Sequence, residues 1–400
     1  MKKLLFLLAL LAPLLASAQL PMLLDNGKPG LIGVPPIHPF SPYAGDVAYF
    51  YGDSVTVGFN PTSPQPQPNL TNRFAALLCT NLLMTEINAG VGGSQIADAQ
   101  SDAITSNDSI SNSTVSVWLA GYNDVFWYGT NQAALADNLQ AVESLAAWLA
   151  IPTSMRVSCT NVNNPLYGGK NNNSYIYYGS GWLFNNDLGN LAFNNHQNNS
   201  ASFYFSGTTL LIGTARLQGG AGNLTVMVGD YDPASDSTGP AYATNVYSCV
   251  RTSTQTGPGP QPNNFGSRQY SAGLIVFTNL TANRHYAILT PETTDYTFLA
   301  WYAGYSTNQL PKVVLTGSLK VSGSDYADFY PAGYTNGSAL AADQYSQMLS
   351  NAAVNLSSLG LNVKWVPTPI LTPVTDYFSD GIHPDASGHQ KLATAIQTGF

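Results

Sequence analysis

The stretch Val47-Ala-Tyr-Phe-Tyr-Gly-Asp-Ser54 of this 400-residue chain has the pattern of a strand followed by a polar turn. Its first five residues are apolar or aromatic and end at Gly52, which is typical of a short strand buried in a parallel sheet. Such a strand delivers the residues after it to the carboxyl edge of the sheet, where open α/β sheets bind their ligands. We therefore predict that Asp53 and Ser54 lie at a ligand-binding edge.

The segments on either side repeat an alternation of strands and helices. The predicted strands are 84–88, 115–120, 312–315 and 363–366, and the predicted helices are 70–83, 131–150, 339–359 and 386–397. This alternation predicts a parallel sheet covered by helices on both faces. Neither 44–158 nor 310–400 could bury its apolar strands alone. We therefore expect 44–158 and 310–400 to form one three-layer α/β/α domain of the flavodoxin-like type.

Residues 159–309, between these two halves, have a different composition, rich in Gly, Asn, Ser, Thr and Tyr. Short alternating runs separated by turn residues occur here. The clearest are 201–205, 208–212, 224–228 and 286–289. Short strands at this density predict an antiparallel β-sandwich inserted into the α/β domain.

The first residues carry an export pattern. Lys2 and Lys3 precede an apolar run over 4–15 and the small residues at 16–18, as in a signal peptide that is cleaved after residue 18. The Pro-rich segment 19–43 reads as an extended strap. We expect a secreted or periplasmic protein. The apolar run is too short to span a bilayer and no other stretch approaches the ~20 apolar residues of a transmembrane helix, so we expect no membrane insertion.

Three cysteines in an exported protein allow one disulfide and leave one thiol. Cys79 lies in an apolar helical pattern and reads as a buried residue, so Cys159 and Cys249 are the predicted pair. The cysteines are too few and too scattered for a structural zinc site. We expect no metal and no other cofactor.

The charge balance argues against nucleic acid as a partner. The net charge is -8 and only 9% of residues are charged, whereas nucleic acids are bound through Lys and Arg on phosphates. Neutral partners such as glycans fit the Asn-, Ser- and Thr-rich composition and the 23 tyrosines better. The same composition is also ordinary for the surface of a secreted protein.

Three residues have the chemistry of a nucleophile, a base and an acceptor that orients the base. Ser54 follows the first strand, and His383 lies in Asp380-Gly-Ile-His-Pro, just before the last helix. A base must reach the serine hydroxyl and be held in one tautomer by an acceptor, and Asp380 can supply that acceptor. Taken singly, Ser54 could be part of a helix cap and His383 part of a turn.

Two further loops follow successive strands and offer hydrogen-bond donors. The loop from Asn88 to Gly93 provides a glycine N–H, and Gly121-Tyr-Asn-Asp124 provides the side-chain amide of Asn123. Acyl transfer needs two or three donors that converge on the developing oxyanion. In isolation each loop would read as an ordinary turn or cap.

These four blocks, in this order, resemble the SGNH hydrolases, also called the GDSL family of esterases and lipases. The resemblance covers 44–158 and 310–400. It implies Ser54 as nucleophile, His383 as base, Asp380 as its orienter, and an oxyanion hole formed by Ser54, Gly93 and Asn123. It also implies hydrolysis of an ester through an acyl-enzyme. The residue after Ser54 is Val rather than the Leu of the family signature.

The inserted segment loosely resembles the jelly-roll, galactose-binding-like modules found beside some carbohydrate esterases. We interpret it either as a platform that binds glycan or as a rigid domain that only packs on the core. Tyr122, Phe126 and Trp127 are candidates to line the substrate pocket. We expect a monomeric esterase that removes short acyl groups, acetyl first among them, from a poly- or oligosaccharide. The alternatives are a carbohydrate O-acyltransferase with the same site, a glycan-binding protein with a vestigial site, and a lipase.

Overall fold

The computed structural model describes residues 41–62, 67–68, 72–98, 115–159, 176–185, 191–253, 270–306, 310–321 and 336–400. The predicted signal peptide and most of the predicted strap lie outside these ranges. None of the helices within them is long and apolar enough to cross a membrane. The fold is mixed α/β, with one parallel sheet and several antiparallel sheets.

The parallel sheet has five strands in the order β4-β1-β5-β18-β20. They are β1 (Val47–Tyr51), β4 (Thr85–Asn88), β5 (Val115–Ala120), β18 (Lys312–Gly317) and β20 (Val363–Pro367). Every residue of β5 is buried, so both faces of the sheet centre are covered. Counted along the chain, the strand order is 2-1-3-4-5, which places a topological switch point between β1 and β5.

The two halves of the chain meet within this sheet. Strand β18 pairs in parallel with β5, in a register that sets Lys312 beside Val115 and Gly317 beside Ala120. The halves separated by the antiparallel segment therefore share one hydrogen-bonded sheet, and the loops after β1, β4 and β5 all open at its carboxyl edge.

Helices lie in two packed pairs, α4 with α5 and α2 with α7. The helices are α1 (Ser54–Val57), α2 (Phe74–Leu82), α3 (Tyr122–Tyr128), α4 (Gln132–Ala150), α5 (Ala339–Ser358), α6 (Pro373–Asp376) and α7 (Ala386–Gln397), with a 3-10 turn at Thr153–Met155. The seven-residue helix α3 falls in the aromatic run after the third block, where the sequence pattern predicts no helix.

Three antiparallel sheets occupy the middle of the chain, in the orders β13-β12-β15-β10-β7, β14-β11-β17-β6 and β16-β9-β8. Their strands are β6 (Arg156–Ser158), β7 (Ile176–Tyr178), β8 (Leu183–Asn185), β9 (Leu191–Asn194), β10 (Ala201–Ser206), β11 (Thr209–Leu217), β12 (Asn223–Asp232), β13 (Ser237–Ser248), β14 (Tyr270–Phe277), β15 (Arg284–Pro291), β16 (Thr297–Leu299) and β17 (Trp301–Tyr305). Strand β6 pairs with β17, so the antiparallel part begins slightly before the predicted boundary at 158. Two small ladders join β2 (Phe59–Asn60) to β3 (Gln67–Pro68) and β19 (Lys320–Val321) to β21 (Ile370–Leu371).

A buried ion cluster fastens the antiparallel part to helix α4. The carboxylate of Asp137, on α4, lies 2.5 Å from Arg216 Nη1 and 3.8 Å from Arg251 Nε. It also accepts from the backbone N–H of Ser253 at 2.7 Å. These contacts hold the Asp137 carboxylate in one position. Removing either member of a buried ion pair would leave the charge of the other member uncompensated. The cluster therefore fixes how β11 and the chain after β13 sit on α4.

The predicted disulfide between Cys159 and Cys249 is wrong, because both thiols are free and buried. The Cys159 thiol accepts from the backbone N–H of Ala192 in β9, whereas the Cys249 thiol lies 3.9 Å from Thr214 Oγ1 in β11. Each sulfur thus contacts a different strand. Burial raises the pKa of Cys159 to about 12 and that of Cys249 to about 11, so both behave as small apolar residues.

His389 is the buried histidine of α7 and lies against α2. Its Nδ1 accepts from the backbone N–H of Phe74 at 3.2 Å, and its ring stacks on the Phe74 ring with 6.1 Å between centroids. Burial lowers its pKa to about 3, with the charges of His383 and Arg73 acting in the same direction. This packing gives His389 a structural role.

The buried His389 makes stability sensitive to acid. Its pKa in the folded state lies below that of an unfolded histidine, so the unfolded state takes up the proton first as the pH falls. The free energy of unfolding should therefore drop by about 2 kcal/mol between pH 7 and pH 5 from this group alone. Urea unfolding of the wild type and His389→Gln at both pH values measures it. All other groups are common to the two proteins, and an equal loss in both would contradict the assignment.

Candidate active site

Ser54 is the first residue of α1 and stands just beyond the carboxyl end of β1. Gly52 makes the turn between them with φ 145°, and a Cβ at this position would lie 2.6 Å from the carbonyl oxygen of Leu119. Only glycine lets the chain pass so close to β5. Asp53 caps α1, because its Oδ1 accepts from the N–H of Val55 at 2.9 Å. The turn thus presents a half-buried Ser54 at the edge of the sheet.

His383 reaches Ser54 from the loop between α6 and α7. Its Nε2 lies 2.9 Å from Ser54 Oγ, and its Nδ1 lies 2.7 Å from Asp380 Oδ2. The other oxygen of Asp380 accepts from the backbone N–H groups of Ile382 and His383 at 3.0 and 3.1 Å. Because Nδ1–H is donated to Asp380, Nε2 can accept the hydroxyl proton of Ser54. The structure brings the three predicted residues into one hydrogen-bonded chain.

Two carboxyl groups of the site, Asp380 and Asp53, have opposite pKa shifts. Burial would raise the pKa of Asp380, but hydrogen bonds from the side chain and backbone of His383 and from the backbone of Ile382 lower it below its ordinary value. Burial raises the pKa of Asp53 to about 6, although the Val55 N–H and His383 act against that rise. Asp380 is therefore ionised at neutral pH and available to orient a histidine.

Asn123 lies beside the Ser54 turn. It is the second residue of α3, and its Nδ2 donates to the carbonyl oxygen of Ser94 at 2.9 Å and lies 3.5 Å from Asp53 Oδ2. The second contact is long for a hydrogen bond, so the amide hydrogen that makes it is weakly held and can serve another acceptor. Gly93 precedes Ser94 in a turn with φ 76°. The predicted oxyanion donors are thus on loops that contact each other and the Ser54 turn.

Asn88 ties the loop that carries Gly93 to the helix that carries Ser54. Its Nδ2 donates to the carbonyl oxygen of Thr56 at 2.7 Å, and its Oδ1 accepts from the N–H of Gly90 at 3.0 Å. The loop passes so near α1 that a Cβ at Gly90 would come within 2.8 Å of the Val57 nitrogen. Asn88 therefore sets the separation between Gly93 and Ser54.

The candidate substrate-lining residues do not share one surface. Tyr122 is 3% exposed and donates its hydroxyl to the carbonyl oxygen of Ile382 at 2.9 Å, and Phe126 has no exposed surface. Both belong to the core behind the site, because α3 buries this face against its neighbours. Trp127 alone is half-buried. The prediction that Tyr122 and Phe126 line the pocket is corrected: Tyr122 braces the His383 loop, and Phe126 packs on Tyr122.

Two residues that hold His383 or its loop in place have no recognisable sequence signal. Phe59, in β2, packs on the His383 ring with 4.7 Å between centroids. Asp376, which has no exposed side-chain surface, accepts from Lys391 Nζ and from the Thr372 N–H, both at 2.6 Å, and so anchors the start of the loop. Neither residue type at its position is diagnostic, because both contacts depend on the tertiary fold.

Within the described part of the chain, no group of three or more His, Cys, Asp or Glu side chains could hold a metal ion. The site as described consists of a hydroxyl, an imidazole, a carboxylate and amide donors. Such groups can take up a proton from a hydroxyl, and they can stabilise a negatively charged oxygen.

Comparisons by sequence find nothing, whereas comparison by structure returns distant likenesses. No protein-family model matches the chain, and no curated protein does. The similar solved structures include carbohydrate esterases and carbohydrate-binding modules at low identity.

Three of these structures illustrate the range. A carbohydrate acetylesterase family member from Sinorhizobium meliloti is 12% identical, with TM-score 0.38, over 88% of this chain and 96% of that one. A two-domain esterase active on acetylated mannans is 10% identical, with TM-score 0.30, over 66% and 92%. A family 35 carbohydrate binding module from Clostridium thermocellum is 14% identical, with TM-score 0.21, over 32% and 90%. At such scores the likenesses carry no argument about what this chain does.

Proposed function

We propose that this protein is a serine esterase of the SGNH type that removes short acyl groups, acetyl above all, from carbohydrate. The observation that carries the proposal is the hydrogen-bonded chain from Ser54 Oγ through His383 to Asp380, with distances of 2.9 and 2.7 Å. It lies at the carboxyl edge of a parallel sheet, next to the switch point where such sheets bind ligands.

The proposed reaction has two stages. His383 Nε2 takes the hydroxyl proton as Ser54 Oγ bonds to the ester carbonyl carbon, and the carbonyl becomes an oxyanion. The oxyanion collapses, the bond to the sugar oxygen breaks, and His383 returns the proton to the leaving hydroxyl. Water then attacks the acyl-Ser54 ester by the same route and releases the acid. Asp380 stays ionised throughout and stabilises the charge on the imidazolium.

The oxyanion in this proposal is held by the N–H groups of Ser54 and Gly93 and the amide of Asn123. Asn123 Nδ2 lies 3.5 Å from Asp53 Oδ2, so one of its hydrogens is only weakly bonded. This weak bond supports a role for the Asn123 amide in holding the oxyanion. The second hydrogen of Asn123 Nδ2 is donated to the carbonyl oxygen of Ser94, and this contact fixes the orientation of the amide.

Asn123→Ala should lower kcat by about 10² to 10³ with little change in KM, because the lost donor acts on charge that develops in the transition state. Steady-state hydrolysis of an acetyl ester measures it. Asn351→Ala is the matched control, since that amide lies on the exposed surface of α5 and contacts Gln347. A fall in kcat of less than threefold for Asn123→Ala would remove Asn123 from the oxyanion site.

Carbohydrate is proposed as the substrate because the chain carries few charges and many Asn, Ser, Thr and Tyr residues. Such a surface can offer hydrogen bonds and aromatic faces to a neutral glycan without competing ion pairs. A short acyl group is proposed because Phe59 packs directly on His383 and narrows the space beside the base.

The direct test is hydrolysis of p-nitrophenyl acetate, butyrate and octanoate by the purified protein, followed by acetate release from acetylated polysaccharides. We expect the acetate ester to have the highest kcat/KM, the octanoate ester to react at least tenfold more slowly, and the polysaccharides to release acetate. Preference for octanoate would favour a lipase. A folded protein that hydrolyses none of these esters would overturn the proposal.

A further inference from the structure

Hydrogen bonds join helix α3 to three successive residues of the loop that follows Gly93. The pairs, with the α3 residue first, are Asn123 with Ser94 at 2.9 Å, Asp124 with Ile96 at 3.0 Å and Tyr128 with Gln95 at 2.6 Å. The loop and the helix carry the two predicted oxyanion donors that lie outside the Ser54 turn. The separation between those donors therefore depends on how the loop is held to α3.

Asp124 makes the contact that also reaches a third element. Its side chain has no exposed surface. Its Oδ2 accepts from the backbone N–H of Ile96 at 3.0 Å, and its Oδ1 accepts from Nδ2 of Asn138, on α4, at 3.0 Å. One buried carboxylate thus ties the loop, α3 and α4 together.

The two partners of Asp124 require a carboxylate at this position. Both Ile96 N–H and Asn138 Nδ2 are donors, so the side chain between them must accept on both of its ends. An amide cannot do this, because its NH2 group would face one of the two donors whichever way it turned. A buried donor would then lose its acceptor, which is costly. The arrangement is therefore specific for Asp over Asn.

The antiparallel part of the chain supplies positive charge behind Asp124. Asp137, which precedes Asn138 on α4, lies 3.8 Å from Arg251 Nε. Burial lowers the pKa of Arg251, and the neighbouring Tyr128, Asp137 and Asp124 oppose that shift. Arg251 is thus close enough to interact with both carboxylates, and a buried carboxylate needs such a counter-charge.

We propose that Asp124 is a positioning residue for the reaction at Ser54. Its carboxylate holds the Gly93 loop and the helix of Asn123 at one separation, so that both donors converge on the same oxygen. Asp124 is buried and acts only through these donors. This role rests on the proposed function, because the separation of the donors matters to the rate only when an oxyanion forms between them.

Steady-state hydrolysis of p-nitrophenyl acetate by Asp124→Asn tests this role. We expect kcat to fall by about 10² and KM to change by less than about twofold, because displaced donors weaken the binding of the transition state and not of the substrate. The double variant Asp124→Asn/Asn138→Asp exchanges the two side chains. Its amide at position 124 can accept from Ile96 and donate to the carboxylate at position 138, so kcat should return to within about fivefold of the wild type.

Asn194→Ala is the control for a loss of stability alone. The amide of Asn194 is buried and bonds to the backbone of His196 and Asn199 within the antiparallel part. This variant should unfold at a lower urea concentration and keep kcat within about threefold of the wild type. A fall in kcat as large as that of Asp124→Asn would show that any loss of stability slows the reaction, and would overturn the positioning role.

Further outcomes separate this role from the proposed function. A wild type that hydrolyses no ester would overturn both, whereas an active wild type with kcat unchanged in Asp124→Asn would overturn the positioning role alone. A folded double variant without recovered kcat would also overturn it. If Asp124→Asn does not fold, Asn138→Ala decides, because it frees the carboxylate from α4 but keeps the contact with Ile96. That variant should lose about tenfold in kcat with KM unchanged, and an unchanged kcat would contradict the role.

Discussion

Ser54→Ala should lower kcat for acetyl ester hydrolysis by about 10⁴ to 10⁶. The reason is that the hydroxyl 2.9 Å from His383 Nε2 would form the only covalent bond to the acyl group in the proposed reaction. The side chain is half-buried at the start of a short helix, so its removal leaves no large cavity. Stability should change by less than about 1 kcal/mol. Single-turnover kinetics and thermal unfolding of the same preparation measure both quantities.

A fluorophosphonate probe gives a second readout for this variant. The wild type should gain one covalent label on the peptide that contains Ser54, and Ser54→Ala should gain none. Ser358→Ala, at an exposed position where the hydroxyl bonds only to the Asn355 carbonyl among the described residues, should keep full activity and full labelling. Residual activity above one hundredth of the wild type in Ser54→Ala would place the nucleophile elsewhere.

Asp380→Asn should lower kcat by about 10³ to 10⁴, the second largest effect expected here. An amide at this position can accept from the backbone N–H groups of Ile382 and His383 as Asp380 Oδ1 does, so the loop keeps its shape. It cannot stabilise an imidazolium, and an amide nitrogen facing Nδ1 would favour the wrong tautomer of His383. The loss should therefore appear in kcat, with KM nearly unchanged, between pH 6 and pH 9.

Asp376→Asn separates this electrostatic effect from a loosened loop. Asp376 anchors the loop through Lys391 and Thr372 but does not contact His383 through its side chain. Burial would raise the pKa of Asp376, yet hydrogen bonds from Lys391 and Thr372 hold it below its ordinary value. We expect this variant to lose stability and less than tenfold in kcat. Equal losses of kcat in the two variants would show that Asp380 acts only by shaping the loop.

Much of the parallel sheet can be predicted from the sequence because its strands are short, apolar and bounded by glycine or turn residues. Strands β1 and β5 have the predicted ends. Helix α2 was predicted from residue 70 but begins at Phe74. Its first N–H is bonded to His389, 315 residues later in the chain, and no local pattern can carry such a distant contact.

The candidate site, like the sheet, can be predicted from the sequence only in part. Ser54, His383, Asp380 and Asn123 were predicted because each stands in a short block at the end of a strand or the start of a helix. The roles of Tyr122 and Phe126 were misjudged, since an aromatic run gives no sign of whether it faces a pocket or the core. The cysteine pairing failed for a related reason: sequence spacing does not reveal which strand each thiol faces.

The pairing of β5 with β18 has a consequence for the synthesis of the chain. Strand β5 leaves the ribosome with one edge supplied by β1, while the partner for its other edge is made only after the entire antiparallel segment. At ordinary elongation rates that delay is ~10 to 40 s. During it the apolar strand Val115–Ala120 presents an open row of backbone groups to any neighbouring chain. Crowded, rapid expression therefore invites intermolecular pairing at β5, and a chain that stops before Lys312 carries that open edge permanently.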